Sequence, residues 1–439
     1  MMSPARDAAL DILLKVEQGG FASELLHSER LDKLTAQDRG LATELVMGVL
    51  RWRSRLDEAI ASLSSQKLSR LDAEVLESLR LAAYQIGFLE RIPAHAAVND
   101  AVELVKRKKK KSAAPFVNAV LRKLLKGEQK ISLKPKESLN GAPTAKELSA
   151  VYAHPLWLVD RWAAKFGLKG AEQVCAHDQQ VPATVIHLCD PEAEPELIAE
   201  GIELASGKLL RSARIATNGD VTKTQAFADG RVQVQDEGSQ LVAILAGRGE
   251  RLLDCCAAPG GKTAILAERN PKAEIVATEV HEHRARMMRE RLRRATNVEV
   301  TVGDAADLKI TGEFDRVLAD VPCSGTGTLA RNPEIKWRIG PDDLADLHRR
   351  QVAILRGALG KLRRGGRLLY STCSLESEEN EAVVAEVDGT IIPTHEELVA
   401  LRAEGELLVD PVEVVDGPFL RLLPGTFGTD GFFAAMLSL

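Results

Sequence analysis

No stretch of the chain approaches the roughly 20 consecutive apolar residues that a membrane-crossing helix needs, so no membrane partner is expected. Arg6, Asp7, Asp11 and Lys15 interrupt the N-terminal residues, which therefore do not read as a secretory signal. Cysteine is sparse, six residues in 439, and its spacing is not that of a disulfide framework. This excludes a stapled secreted scaffold and points to a reducing, cytoplasmic setting. Two nucleotide signatures are also missing. The pattern G-x-G-x-x-G does not occur, and Gly261-Lys262-Thr263, which looks like the end of a phosphate-binding loop, has Cys256 where that motif needs its first glycine. Both absences argue against a polyphosphate ligand.

What is present divides by charge. The net charge is −5, yet residues 1–130 carry 22 Lys and Arg against 17 Asp and Glu, leaving 36 against 46 in the remainder. The surplus sits in one run, Lys106-Arg107-Lys108-Lys109-Lys110-Lys111. It is either a phosphate-contacting patch or the solvated end of a helix, with cations near the negative C-terminus.

Helical periodicity fills the N-terminal third. Ala8, Leu10, Ile12, Leu13 and Val16 begin one stripe, and Leu41 to Leu56, Val75 to Ile86, Ala94 to Lys111 and Pro115 to Leu125 continue it. Five helices with short connections make a bundle, in which Trp52 and Tyr84 read as packing residues. Residues 129–145, rich in Lys, Pro, Ser and Gly, read as a linker. Helical stretches from Pro155 to Phe166 and Lys169 to His177 follow, then short strands at Thr184 to Leu188, Leu209 to Ala216 and Val232 to Gln235. The expected organisation is an all-α bundle (1–128), the linker (129–145), a small α+β domain (146–236) and an α/β domain (237–439).

The α/β domain organises the chain. Four apolar runs each end in a polar cluster: Arg251 to Asp254 before Cys255-Cys256-Ala257-Ala258-Pro259-Gly260-Gly261-Lys262, Glu274 to Glu279, Phe314 to Cys323, and Gly366 to Cys373. Buried parallel strands read this way, and their ligands collect beyond the strand carboxyl ends. Gly260 and Gly261 let a ligand approach the backbone, and a helix opening near Thr263 adds its positive end. An acid one strand on, Glu279, matches the kind that bonds ribose hydroxyls. S-adenosylmethionine, with ribose and adenine but no phosphate, fits this set. Cys323 and Cys373, fifty residues apart, stand at two of these strand ends. They could be a redox couple or half of a metal site. They are also what methylation of cytosine at carbon 5 requires, since a thiolate must first add to carbon 6.

The runs Asp254 to Thr263, Asp320 to Gly327, Asn332 to Trp337 and Ser371 to Ser374 resemble the motifs of the RNA cytosine-5 methyltransferases of the Nol1/Nop2/Sun family. The resemblance covers essentially the whole chain. It implies a NusB-like N-terminal bundle, a small RNA-recognition-like middle domain and a Rossmann-like catalytic domain. It further implies S-adenosylmethionine as methyl donor, no metal, small-subunit ribosomal RNA as partner, and a monomer.

By the same resemblance Cys373 is the nucleophile, Cys323 assists release, and Asp320 bonds the base near N3. Cys256, Ala257, Ala258, Pro259, Gly260, Gly261 and Lys262 hold the methionine and ribose portions, with Glu279 on the ribose, Asp304 at the adenine edge and Asp320 beside the cofactor. Arg331, Lys336 and Trp337 are suited to phosphate and stacking contacts, although Trp337 equally suits packing. Cys255 departs from the family pattern, where a small residue such as alanine is common, and Ala330 stands where a second basic residue would be unsurprising. Cys175-x-His177 and His187-x-Cys189 hold the right atoms for zinc, but at poor spacing. Transfer RNA or another ribosomal RNA site as substrate, a non-catalytic RNA-binding factor, and a small-molecule methyltransferase are the alternative readings.

Overall fold

The computed structural model describes residues 3–28, 31, 33–128, 133 and 143–439. Of the linker expected at 129–145, only Leu133 and residues 143–145 are described; the rest lies outside. The chain forms two compact units, one comprising the described residues up to Val181 together with Leu329–Arg338, the other Pro182–Thr328 with Ile339–Leu439. The division falls at 181/182, within the stretch 146–236 read from sequence as a single domain.

The first unit is helical: Pro4–Glu17, Ala22–Leu26, Ala36–Leu63, Ala73–Phe88, Ala94–Arg107, Ala114–Leu125, Ala145–Val151 and Leu156–Asp178. Thr35 caps the long third helix by accepting from Asp38 N, and Thr144 and Glu147 form a reciprocal capping box. Gly48 is required where it is, because a Cβ there would lie 2.0 Å from the Tyr84 ring. Tyr84 and Phe88 stack, as do Trp52 and Phe88, so both aromatics are packing residues as read. Gly167, at φ +73°, breaks the last helix at the point between the two helical stretches expected there.

Two charged features differ from expectation. The helix read as reaching Lys111 ends at Arg107, because Lys109 turns left-handed at φ +62°. Four cations of the basic run are paired: Lys106 with Glu103, Arg107 with Asp7, Lys108 with Asp11, and Lys110 with Asp72 and Glu74. The run is for the most part the charged rim of the bundle. Second, Leu329–Arg338 is built into this unit. Lys336 is 1% exposed, donating to Arg51 O at 3.0 Å, and Trp337 Nε1 donates to Leu50 O at 2.6 Å. Glu334 accepts from Ala22 N, Arg51 donates to Ala330 O, and Arg338 donates to Val16 O and Gly20 O. Lys336 is therefore not a phosphate contact, and of the two readings of Trp337 the structure selects packing.

In the second unit, β1 (Thr184–Leu188), β2 (Glu203–Ser206), β3 (Ala213–Asn218) and β4 (Val232–Val234) form an antiparallel sheet in the order β2-β3-β1-β4. With helices after β1 and β3, this is the split βαβ arrangement. The strand expected over Leu209 to Ala216 begins only at Ala213, and β2 was not anticipated. The larger sheet holds β5 (Arg251–Asp254), β6 (Glu274–Glu279), β7 (Val298–Val302), β8 (Phe314–Asp320), β9 (Leu362–Thr372), β10 (Thr390–Ile392), β11 (Val415–Asp416), β12 (Phe419–Leu422) and β13 (Phe432–Ser438). Its order is β11-β12-β13-β9-β8-β5-β6-β7, with β10 against β13. All four apolar runs are parallel strands, as their unbroken hydrophobicity required. Chain direction across the sheet reverses between β5 and β8, which places a crevice at their carboxyl ends.

Burial of Lys336 has a consequence for stability. Desolvation pulls its ammonium from near 10.5 down to about 7, with Asp178 opposing the shift. Between those values the unfolded chain binds the extra proton, so stability rises with pH from 7 toward 9. Thermal melts should show this rise in the wild type and a flatter profile in Lys336→Met. Arg51 O would still accept from Gln179 in that variant, and identical slopes would refute the assignment.

Candidate functional site

The site is assembled at the carboxyl ends of β5, β8 and β9. After β5 the chain turns through Ala257 and Pro259 to Gly260, which sits at φ +97°, where a Cβ would come 2.9 Å from Met288. The following helix begins at Gly261, two residues before the expected start, with its free N–H groups facing the crevice. Val234, Gln235, Asp254, Cys256, Ala257, Ala258, Pro259, Gly261, Lys262 and Asp320 are among the residues lining one cavity there. Within this cavity Lys262 Nζ pairs with Asp320 Oδ2 at 2.7 Å, and Asp320 Oδ1 accepts from Ser371 at 2.7 Å. Burial opposes the charge on Lys262, but Asp320 more than offsets it and the ammonium pKa is raised. The lysine that looked like a phosphate ligand is thus committed to a carboxylate.

Asp254 is buried and accepts from Thr263 through Oδ2 at 2.7 Å, while its Oδ1 has no hydrogen-bond partner. Burial pushes its carboxyl up to about 7, with Asp320 adding to the shift and Thr263 opposing it. Gln235 Oε1, on the same cavity, is likewise buried without a partner. Glu279 and Asp304 stand at the next strand ends, outside the residues that line this cavity. Glu279 accepts from His281 N and lies 3.6 Å from Arg284, and Asp304 is exposed, capping a single turn at Ala306 N.

The two cysteines meet. Cys323 Sγ and Cys373 Sγ are 3.3 Å apart, and both are free thiols. Contact with Cys373, and then burial, hold the Cys323 thiol pKa well above its ordinary value, and either sulfur can be the donor in the pair.

Comparison with known proteins bears on this arrangement. The family described as 16S rRNA methyltransferase RsmB/F matches residues 242–438, and the NusB family matches residues 3–126. A probable ribosomal RNA small subunit methyltransferase B of Bacillus subtilis is 34% identical, over 98% of this chain and 97% of its own. The chain belongs to the RsmB/F family. The ribosomal RNA small subunit methyltransferase B of Vibrio cholerae is 33% identical over 99% of this chain and 97% of its own. The crystal structure of PH0851 shares the fold, at TM-score 0.80 and 24% identity, over 100% of this chain and 99% of that one. RsmB/F membership agrees with the resemblance read from the strand-end motifs and implies S-adenosylmethionine as the methyl donor.

Sequence reasoning missed the RsmB/F residues that hold the thiols together. Glu379 is fully buried and accepts from Ser324 N at 2.7 Å, from Gln351 Nε2 at 2.9 Å and from the Ser374 hydroxyl. Asn380 accepts from Thr372 Oγ1 and donates to Ser374 O. The available signal was a polar run, Glu376 to Glu381, directly after the Cys373 motif, where a solvated helix start was the ordinary interpretation. Gly327 completes the clamp: its N–H donates to Cys373 O at 2.9 Å, and a Cβ on it would meet Gly431 O at 2.5 Å. Gly327→Ala should therefore force the Cys323 loop off β9, at a cost of about 1–3 kcal/mol. Methyl transfer should be lost while cofactor binding, measured by equilibrium dialysis, survives; unchanged turnover would show that the close approach is dispensable.

Proposed function

We propose that this chain transfers a methyl group from S-adenosylmethionine to carbon 5 of a cytosine in small-subunit ribosomal RNA, through a covalent cysteine adduct at carbon 6. The observation that carries the reading is the 3.3 Å pair of Cys323 and Cys373 beside the Lys262–Asp320 ion pair. The cavity residues fit the donor. Asp254 Oδ1 and Gln235 Oε1 are unpartnered acceptors suited to its amino and hydroxyl groups, and backbone from Cys256 to Gly261 suits its carboxylate. Glu279 and Asp304 are assigned to the ribose and adenine. When bound, the donor supplies an electrophilic methyl group on a sulfonium.

Cys373, as thiolate, attacks carbon 6 of the base, making carbon 5 nucleophilic. Cys323 keeps its proton at this stage, which suits it to partner the thiolate rather than compete with it. Asp320, oriented by Ser371 and Lys262, faces the ring nitrogen and amine, where charge changes as aromaticity is lost. After methylation the carbon 5 proton must leave before Cys373 is expelled, and Cys323 assists this step. The target base must be unstacked to reach the thiols. The NusB-like unit, by its family, is assigned to RNA binding, and the protein acts as a monomer without a catalytic metal.

Labelled S-adenosylmethionine and unmodified small-subunit RNA test the reading. Wild type should turn over and Cys373→Ala should transfer nothing. Cys323→Ala should accumulate a denaturation-resistant protein–RNA adduct. Normal methylation by Cys373→Ala would overturn the nucleophile, and label at any position other than carbon 5 of cytosine would overturn the reaction.

A further inference from the structure

Of the zinc constellation considered from sequence, Cys175 and His177 fall in the first unit and His187 and Cys189 in the second. A different set comes together. His187 on β1, Cys189 just beyond it and Glu268 on the helix after β5 bring one donor atom each to within 4.8 Å of one another. Positions i and i+2 diverge on a helix but share a face along a strand, which is why His187 and Cys189 converge.

The hydrogen bonds show that a cation is wanted between His187 and Glu268. Gln240 Nε2 donates to Gln235 O at 2.8 Å, which turns its Oε1 toward His187 Nδ1 at 3.2 Å. Nδ1 must then carry the ring proton, leaving the Nε2 lone pair aimed at Glu268 Oε2, 2.6 Å away. Two acceptors at that distance repel unless a proton or a metal ion stands between them. A metal-bound histidine is ordinarily oriented in this way, with its other nitrogen donating to a fixed acceptor.

A fourth donor is at hand. Gln233 is paired across strands with His187, is 7% exposed, and its Oε1 is buried without a hydrogen-bond partner. Solvent reaches the site through a cavity lined by His187, Glu194, Arg211, Ser212, Glu268 and Glu406.

We infer that His187, Cys189 and Glu268, with the Gln233 carbonyl or a water as fourth ligand, form a zinc site that ties the four-stranded sheet to the catalytic sheet. Imidazole, thiolate and carboxylate together suit Zn²⁺ better than a hard cation. Tetrahedral ligation at about 2.0–2.3 Å spaces donors roughly 3.3–3.8 Å apart, within reach of rotamer adjustments here. Binding exchanges protons for metal: the Cys189 thiol proton and any proton shared by His187 and Glu268 leave to solvent. The site lies apart from Cys323 and Cys373, so metal occupancy is readable without activity.

The test titrates Co²⁺ into the chelator-stripped, reduced full-length protein. About one equivalent should bind with a thiolate-to-metal charge-transfer band and tetrahedral visible absorption. Cys189→Ser should abolish the charge-transfer band. Glu268→Gln, a change at a partly exposed side chain, should weaken Zn²⁺ competition at least about tenfold with an unchanged far-ultraviolet circular dichroism spectrum. Cys175→Ser should change neither. Persistence of the band in Cys189→Ser, or wild-type metal uptake no greater than that of the Glu268→Gln variant, would overturn the site.

Discussion

One buried carboxylate holds the chemistry of this protein in register. Glu379 receives the backbone N–H next to Cys323 and the hydroxyl next to Cys373, so two loops fifty residues apart are fastened to the same pair of oxygens. A carboxylate with no solvent exposure costs several kcal/mol unless its lone pairs are filled. Here Ser324, Ser374 and Gln351 fill them, and Gln351 also donates to Pro322 O, binding the residue before Cys323 to the same centre. Exact thiol spacing is thus a by-product of satisfying one charge. Gly327 works from the opposite side, since only a residue without Cβ lets the Cys323 loop donate directly to Cys373 O.

The cofactor side follows a similar logic with the sign reversed. Asp254, Asp320 and Lys262 crowd one cavity, which Arg291 also lines. Lys262 is paired with Asp320, while burial pushes the Asp254 carboxyl up to about 7 and one of its oxygens stays unfilled. A cavity that withholds a full partner from a buried acid is prepared for a ligand bringing positive charge. A Gly-Gly-Lys-Thr sequence therefore need not mean phosphate: its lysine is paired with a carboxylate, and a second buried acid lines the same cavity.

Much of this was legible because buried parallel strands write themselves as unbroken apolar runs, and reactive residues follow where those runs stop. Asp320, Cys323 and Cys373 were singled out that way, Asp254 only as the end of a run, and the family followed from their motifs. Glu379 was not, because an acid in a run of acids looks solvated until the fold encloses it. Lys336 was misjudged, and Trp337 left undecided, for a related reason. They follow the Cys323 loop closely in sequence, but residues 329–338 are packed among the helices of the first unit, where the lysine's stem and the indole serve burial. The partners of the basic run, Asp7, Asp11, Asp72 and Glu74, are distant in sequence, which is why its ion pairing was not legible there.

The same reasoning separates the two readings of the histidine–cysteine pairs. Sequence spacing ranks ligand sets by separation along the chain, which is informative when the ligands sit on one turn or hairpin. It is uninformative about Glu268, 81 positions from His187 in sequence and 2.6 Å from it in space. The chain of donors behind that contact shows that a positive charge, a proton or a metal ion, closes it. Gln235 O fixes Gln240, Gln240 fixes the imidazole tautomer, and the tautomer leaves a lone pair facing a carboxylate. Each link is a neutral hydrogen bond with one direction, and only the last requires a positive charge to close it.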